Sequence, residues 1–139
     1  MKVFTIGYAK MSISDFISTL KSFGIEELID VRSFPTSKKE DFRQERLREH
    51  LERAGIAYHH LKALGGYRKP SYLAYTTTEE FKRGLEELIS RARQRRVVIM
   101  CLEENPRYCH RRFIARELEK RGVEVVHIIG KEDRQLKFS

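Results

Sequence analysis

The sequence predicts an α/β domain of three layers: a mainly parallel sheet of about five strands with helices on both faces. Three observations predict it. Short apolar runs rich in β-branched residues recur at residues 3–7, 97–101 and 123–129. Stretches with apolar residues at helical spacing lie between them. Three of those stretches stop at a glycine (Gly24, Gly55 and Gly122), the residue that best closes a helix. No repeat, low-complexity segment or linker divides the 139 residues, so one domain over 1–139 is expected, with a loosely packed tail over 130–139.

In chain order, residues 3–7 (VFTIG) read as a buried strand. Ser12 caps the first helix, with Asp15 three residues on as a capping-box variant. Ile13, Phe16, Ile17, Leu20 and Phe23 form its apolar stripe. Residues 27–31 make a second strand, apolar until Asp30. A polar loop with Pro35 inside it runs to Lys39, and a charged helix from Glu40 to Ala54 buries Leu47 and Leu51. Residues 56–60 (IAYHH) form a third strand. Leu64 to Pro70 is a basic, glycine-containing loop, followed by Tyr72 and Tyr75.

Thr77 with Glu80 predicts a capping box for the next helix, whose stripe is Phe81, Leu85, Leu88, Ile89 and Ala92. Its last turn carries Arg91, Arg93, Arg95 and Arg96, which suit the negative end of the helix dipole. The run 97–101 is the most strand-like in the chain. Asn105 and Pro106 supply a cap and first position for a helix that buries Ile114, Ala115 and Leu118. Residues 123–129 are the last strand.

Composition narrows the setting. No apolar run approaches the roughly 20 residues of a membrane span. The first residues enter a strand pattern rather than a signal peptide, and two cysteines are too few for a disulfide framework; a cytoplasmic protein is expected. The net charge of +8 permits nucleic acid as a partner, but 20 acidic residues among 28 basic ones equally describe an ion-paired surface. High Lys, Glu and Arg with a single Asn resembles a thermophile composition. Nothing in the composition indicates a cofactor or an oligomeric state.

In an open parallel sheet, ligands bind outside the carboxyl ends of the strands. Those ends present Tyr8 after the first strand and Asp30, Arg32 and Ser33 after the second. The third offers His60, then Gly65 and Gly66. The fourth offers Cys101 and Glu103, and the helix behind it Cys109, His110 and Arg111. Polar and reactive types therefore gather at one edge.

Several readings of this edge stay open. Cys101 is a candidate nucleophile whose thiolate a helix N-terminus and nearby Arg or His would favour, with His110 as base and Glu103 as a third catalytic group. The alternative is a small buried residue at a strand end. Cys101 to Arg107 has the Cys-x5-Arg spacing of phosphatase and rhodanese loops. The intervening Leu-Glu-Glu-Asn-Pro, however, lacks the glycines of an anion cradle and carries two carboxylates. Cys-x7-Cys-His matches no common zinc spacing, so no metal is expected. A Cys101–Cys109 disulfide is conceivable, but a cytoplasmic setting argues against it. Arg32, Arg111 and the Gly65 to Lys69 loop could surround an anionic small molecule or a nucleotide; alternatively Arg111 pairs with Asp30 or Glu103 to hold the loops.

Taken together, Thr5 to Tyr8 (TIGY), Asp30 to Ser37 (DVRSFPTS), Tyr58-His59-His60, Leu64-Gly65-Gly66, Cys101-x-Glu103 and Cys109-His110-Arg111 resemble the domain of unknown function 488 family. The resemblance runs over nearly the whole chain in the family's order. It implies the α/β fold and the site positions. It implies no reaction, because the family has no established activity.

Overall fold

The computed structural model describes residues 1–130 and the backbone of 132–134. Five parallel strands carry the fold: β1 (Lys2–Gly7), β2 (Glu27–Asp30), β3 (Ala57–His60), β4 (Val97–Cys101) and β5 (Glu124–Ile129). A sixth, β6 (Glu132–Arg134), pairs antiparallel with β5. The expected loose tail otherwise lies outside the described residues. The sheet order is β3-β2-β4-β1-β5-β6.

The helices are α1 (Ile13–Ser22), α2 (Gln44–Arg53), α3 (Tyr72–Tyr75), α4 (Glu79–Gln94) and α5 (Arg111–Lys120). Side chains alternate across the sheet with period two. Val3, Ile29, Val97, Ile99 and Val125 meet α4 and α5 on one face. Phe4, Ile6, Leu28, Val98, Met100, Val126 and Ile128 meet α1 and α2 on the other. Both faces are thus dry, as the continuous apolar strands require. No helix among the described residues is long and apolar enough to cross a membrane.

The topology places the site. Right-handed crossovers carry the chain outward from β1 through β2 to β3 with α1 and α2 on one face. The return through α4 to β4 and on through α5 to β5 must use the opposite face. The loops leaving β4 and its neighbours β1 and β2 therefore part to opposite sides of the sheet. That divergence opens a crevice at the carboxyl ends of the three strands.

Four local expectations shift. Phe42 sits in a one-turn 3-10 helix (Glu40–Phe42), and extended Arg43 separates it from α2, so the charged helix starts at Gln44 rather than Glu40. The break lets Phe42 bury and stack on Tyr8, ring centroids 4.4 Å apart. Tyr72 and Tyr75 belong to a short helix capped by Ser71. The cap of α4 is Thr78, which accepts from Phe81 N–H, one residue beyond Thr77. Asn105 and Pro106 start only a 3-10 turn (Pro106–Tyr108). Cys109 is then extended, and α5 begins at Arg111 with His110 as its N-cap.

Candidate functional site

At the end of β1, Gly7 pairs with Cys101 of β4. Tyr8 N–H donates to Cys101 O at 3.2 Å and Ala9 N–H to Leu102 O at 2.9 Å, so the chains leaving β1 and β4 stay paired just past the strand ends before they part. A methyl group on Gly7 would stand 1.7 Å from Glu103 O; only hydrogen fits there. Gly65 is held in the same way, since its Cβ would lie 2.4 Å from Ser33 Oγ.

Asp30 closes β2 and is fully buried. Its Oδ1 accepts from Arg32 Nε at 2.9 Å, and its Oδ2 from Arg32 Nη2 at 2.8 Å and Tyr58 O–H at 2.7 Å. Arg32 spends its remaining donor on Phe42 O (2.8 Å), Thr36 O (3.2 Å) and Tyr8 Oη (3.3 Å). Burial opposes its charge, yet the Asp30 bonds and charge hold its pKa above the ordinary value. The Tyr58 phenol is pushed up by burial and by Asp30. Asp30 and Arg32 therefore form a closed polar hub that fixes the loop after β2. His60 adds to it through a 2.6 Å contact between Nε2 and Arg32 O.

Arg111 is the largest fully buried side chain of the described residues. Its Nε donates to Cys101 Sγ at 3.0 Å and its Nη1 to Thr5 Oγ1 at 2.9 Å; its Nη2 donates to Glu103 O. It takes neither Asp30 nor the Glu103 carboxylate as a partner, and no salt bridge to it occurs among the described residues. Burial pushes its pKa down to about 9, against the opposing charge of Glu103. Below it, Thr5 Oγ1 lies 2.6 Å from His127 Nδ1. Because Thr5 accepts from Arg111, its own hydroxyl proton is available to His127, which leaves Nδ1 as acceptor and places the ring proton on Nε2.

Burial, reinforced by Arg111, lowers the His127 pKa to about 4. The unfolded ring titrates near 6.5, so between those values the unfolded chain binds the extra proton and stability falls as pH falls. The loss is absent above about pH 6.5 and reaches on the order of 3 kcal/mol near pH 4. Urea unfolding between pH 7 and 4 should show this slope added to a like one from His110, whose pKa is also pushed down to about 4, and His127→Gln should remove about half of the total. An unchanged slope in the variant would refute the assignment.

His110 opens α5. Its Nε2 lies 2.7 Å from Val31 O, so Nε2 carries the proton and Nδ1 is left with its lone pair. Burial, helped by Arg111 and Arg68 and opposed by the Val31 bond, pushes its pKa down to about 4; the ring is neutral. Nδ1 stands 3.6 Å from Cys109 Sγ. The Cys101 and Cys109 sulfurs are bonded to each other, with Cα atoms 7.6 Å apart, so the pairing disfavoured by the cytoplasmic argument is made. The sequence spacing could not show this. The 3-10 turn after β4 folds the eight-residue separation back on itself.

These groups surround a cleft of about 430 Å³. Of the residues expected at the site, Tyr8, Arg32, Ser33, Gly66, Cys101, Glu103, Cys109 and His110 line it. Asp30, His60, Gly65 and Arg111 stand behind, positioning the lining. The sequence reading missed Phe34, Leu102 and Tyr108 at the rim and undervalued Tyr67 and Arg68. Phe34, Tyr67 and Tyr108 are the only exposed aromatics among the described residues, at 66%, 91% and 77%. Aromatic residues set in otherwise polar loops were the available signal. Arg68 reaches back to Gly65 O and Lys62 O and lies over the Tyr75 ring.

Among curated proteins and among solved structures, no match to the chain was found. The model of the family described as domain of unknown function DUF488 matches residues 12–118. That span holds α1 through α4, most of α5 and the blocks around Asp30, Gly65, Cys101 and Cys109 that build the cleft, and the chain belongs to this family.

Proposed function

We propose that the protein binds an anionic small molecule in the cleft and that Cys101, at its floor, is the reactive centre. The observation that carries this reading is the state of Arg111. A fully buried guanidinium donates to Cys101 Sγ and, among the described residues, meets no carboxylate in hydrogen-bond reach. Such a charge favours an anion above it and, once the Cys101–Cys109 bond is reduced, a thiolate at Cys101. The start of α5 adds its dipole in the same sense. Arg68 supplies a cation at the rim, and Phe34, Tyr67 and Tyr108 offer flat apolar surface to the rest of the ligand. Neutral His110 can accept a proton.

The test is a titration of inorganic phosphate and of a nucleoside monophosphate, followed by the melting temperature. Binding at 100 times Kd stabilises by about 2.7 kcal/mol. Arg68→Gln should weaken the binding about tenfold, the value of one charge-assisted hydrogen bond. If neither probe shifts the melting temperature, the reading fails.

A second reading rests on the same rim. Three exposed aromatics beside basic side chains also fit a strand of single-stranded nucleic acid, with bases stacked on the rings. It predicts binding of an oligonucleotide that falls steeply with salt and is unaffected by Cys101→Ser.

A further inference from the structure

We propose that the reduced protein binds a zinc ion through Cys101 Sγ, Cys109 Sγ and His110 Nδ1, with the fourth position facing the cleft. The three ligand atoms all lie within 4.8 Å of one another. Around a tetrahedral zinc with Zn–S bonds of about 2.3 Å, ligand atoms stand roughly 3.8 Å apart; on reduction the two sulfurs part and His110 Nδ1 draws in, both by side-chain rotation. The Cα atoms of the two cysteines are 7.6 Å apart. That exceeds the span of about 4.4–6.8 Å usual for a direct bridge and suits two ligands with an atom between them.

The surroundings are those of a metal ligand set. His110 donates its Nε2–H to Val31 O at 2.7 Å, which fixes the ring and aims the lone pair of Nδ1 toward the Cys109 sulfur. A histidine oriented by a carbonyl on its far nitrogen is the usual supporting arrangement in zinc sites. Cys101 Sγ accepts from Arg111 Nε at 3.0 Å, a donor to a ligand sulfur. Cys101 lies at the end of β4 and is almost fully buried, whereas Cys109 and His110 sit at the entrance to α5. The ligands therefore come from two rigid elements that the fold holds together. The linear spacing Cys-x7-Cys-His hides this because the 3-10 turn between them doubles the chain back.

Three protein ligands with an open fourth place characterise reactive rather than purely structural zinc. Both sulfurs and His110 line the cleft, so a molecule bound there can reach the ion. Charge indicates which molecule. Zinc with two thiolates and a neutral imidazole is neutral, and Arg111 leaves the centre at +1. An anionic fourth ligand balances it. This last step rests on the cleft being an anion site; the three protein ligands do not. Zinc and the disulfide exclude each other. Binding takes the dithiol, forms two Zn–S bonds and releases the two thiol protons, with no electron transferred.

The experiment uses the full chain, reduced with a phosphine and handled without oxygen, and cobalt(II) as a spectroscopic stand-in. One equivalent should produce thiolate-to-cobalt charge-transfer absorption and the intense d–d bands of a four-coordinate ion. One equivalent of zinc should abolish both. Cys109→Ser, at a partly buried position, and Cys101→Ser should each weaken cobalt binding by a hundredfold or more, with the circular dichroism of each variant checking that it is folded. Absence of the charge-transfer band in the reduced wild type overturns the proposal, as does equally tight binding by Cys109→Ser. Phosphate is then added to the cobalt protein. A change in the d–d bands places the anion at the fourth position. Bands that ignore phosphate leave the three-ligand site standing and remove the anion from it. Phosphate stabilisation without any cobalt band supports the anion cleft and sinks the metal site.

Discussion

Asp30→Ala is expected to destabilise the fold by about 3–5 kcal/mol, the cost of removing one partner from a buried ion pair. Three features place it in that range. Asp30 is fully buried and Arg32 is 7% exposed, so water cannot replace the carboxylate. The pair is bidentate, at 2.9 and 2.8 Å, and Tyr58 O–H also ends on Asp30. Arg32 in turn ties down Thr36 and Phe42, and Phe42 supports Tyr8. The loss should therefore spread from β2 to the cleft floor. Tyr58→Phe removes one hydrogen bond to the same carboxylate and should cost only about 1 kcal/mol. Urea unfolding of both variants checks the contrast. A loss below 1 kcal/mol for Asp30→Ala would show that the hub is not a source of stability.

Arg111→Met is expected to cost on the order of 3 kcal/mol. Two effects compete. A methionine of similar length removes a desolvated charge that has no carboxylate partner among the described residues, which by itself is favourable. It also strands Glu103 O and takes from Thr5 Oγ1 one of its two bonds, leaving His127 as its partner; a buried polar atom left unmade costs about 1–3 kcal/mol. The lost bonds win because Gly7 is pressed against Glu103 O, so no water fits on that side. The loss should be larger in the reduced protein, where a Cys101 thiolate would lose the Nε donor at 3.0 Å. Unfolding curves with and without a phosphine reductant measure both. Equal losses in the two states would separate Arg111 from the chemistry of the sulfur.

These two residues also show how far the sequence could be read. Asp30 and Arg32 were legible as a site block, since a carboxylate and a guanidinium end a strand together. Their division of labour was not. Whether Arg32 faces a ligand or its own Asp30 depends on side-chain direction, and the closed hub of hydrogen bonds decides for the latter. Arg111 was open to two readings, a ligand cation or a partner of Asp30 or Glu103, and among the described residues it takes a sulfur, a hydroxyl and a carbonyl. The start of α5 was set at Pro106 by local capping rules. Tertiary contacts hold Cys109 extended, with its sulfur on Cys101, and delay the helix to Arg111.

By itself the sequence determined the alternation of strands and helices, the two dry faces of the sheet and the edge where its cysteine, histidine and charged residues gather. Periodicity, capping and burial of apolar runs act over a few residues, and these features follow from them. Only the tertiary structure decided the order β3-β2-β4-β1-β5, the crevice where the loops around β4 diverge, and the meeting of Cys101, Cys109 and His110 above a buried Arg111. Those depend on which distant strands pair and on how a loop folds back, and no spacing along the chain records either.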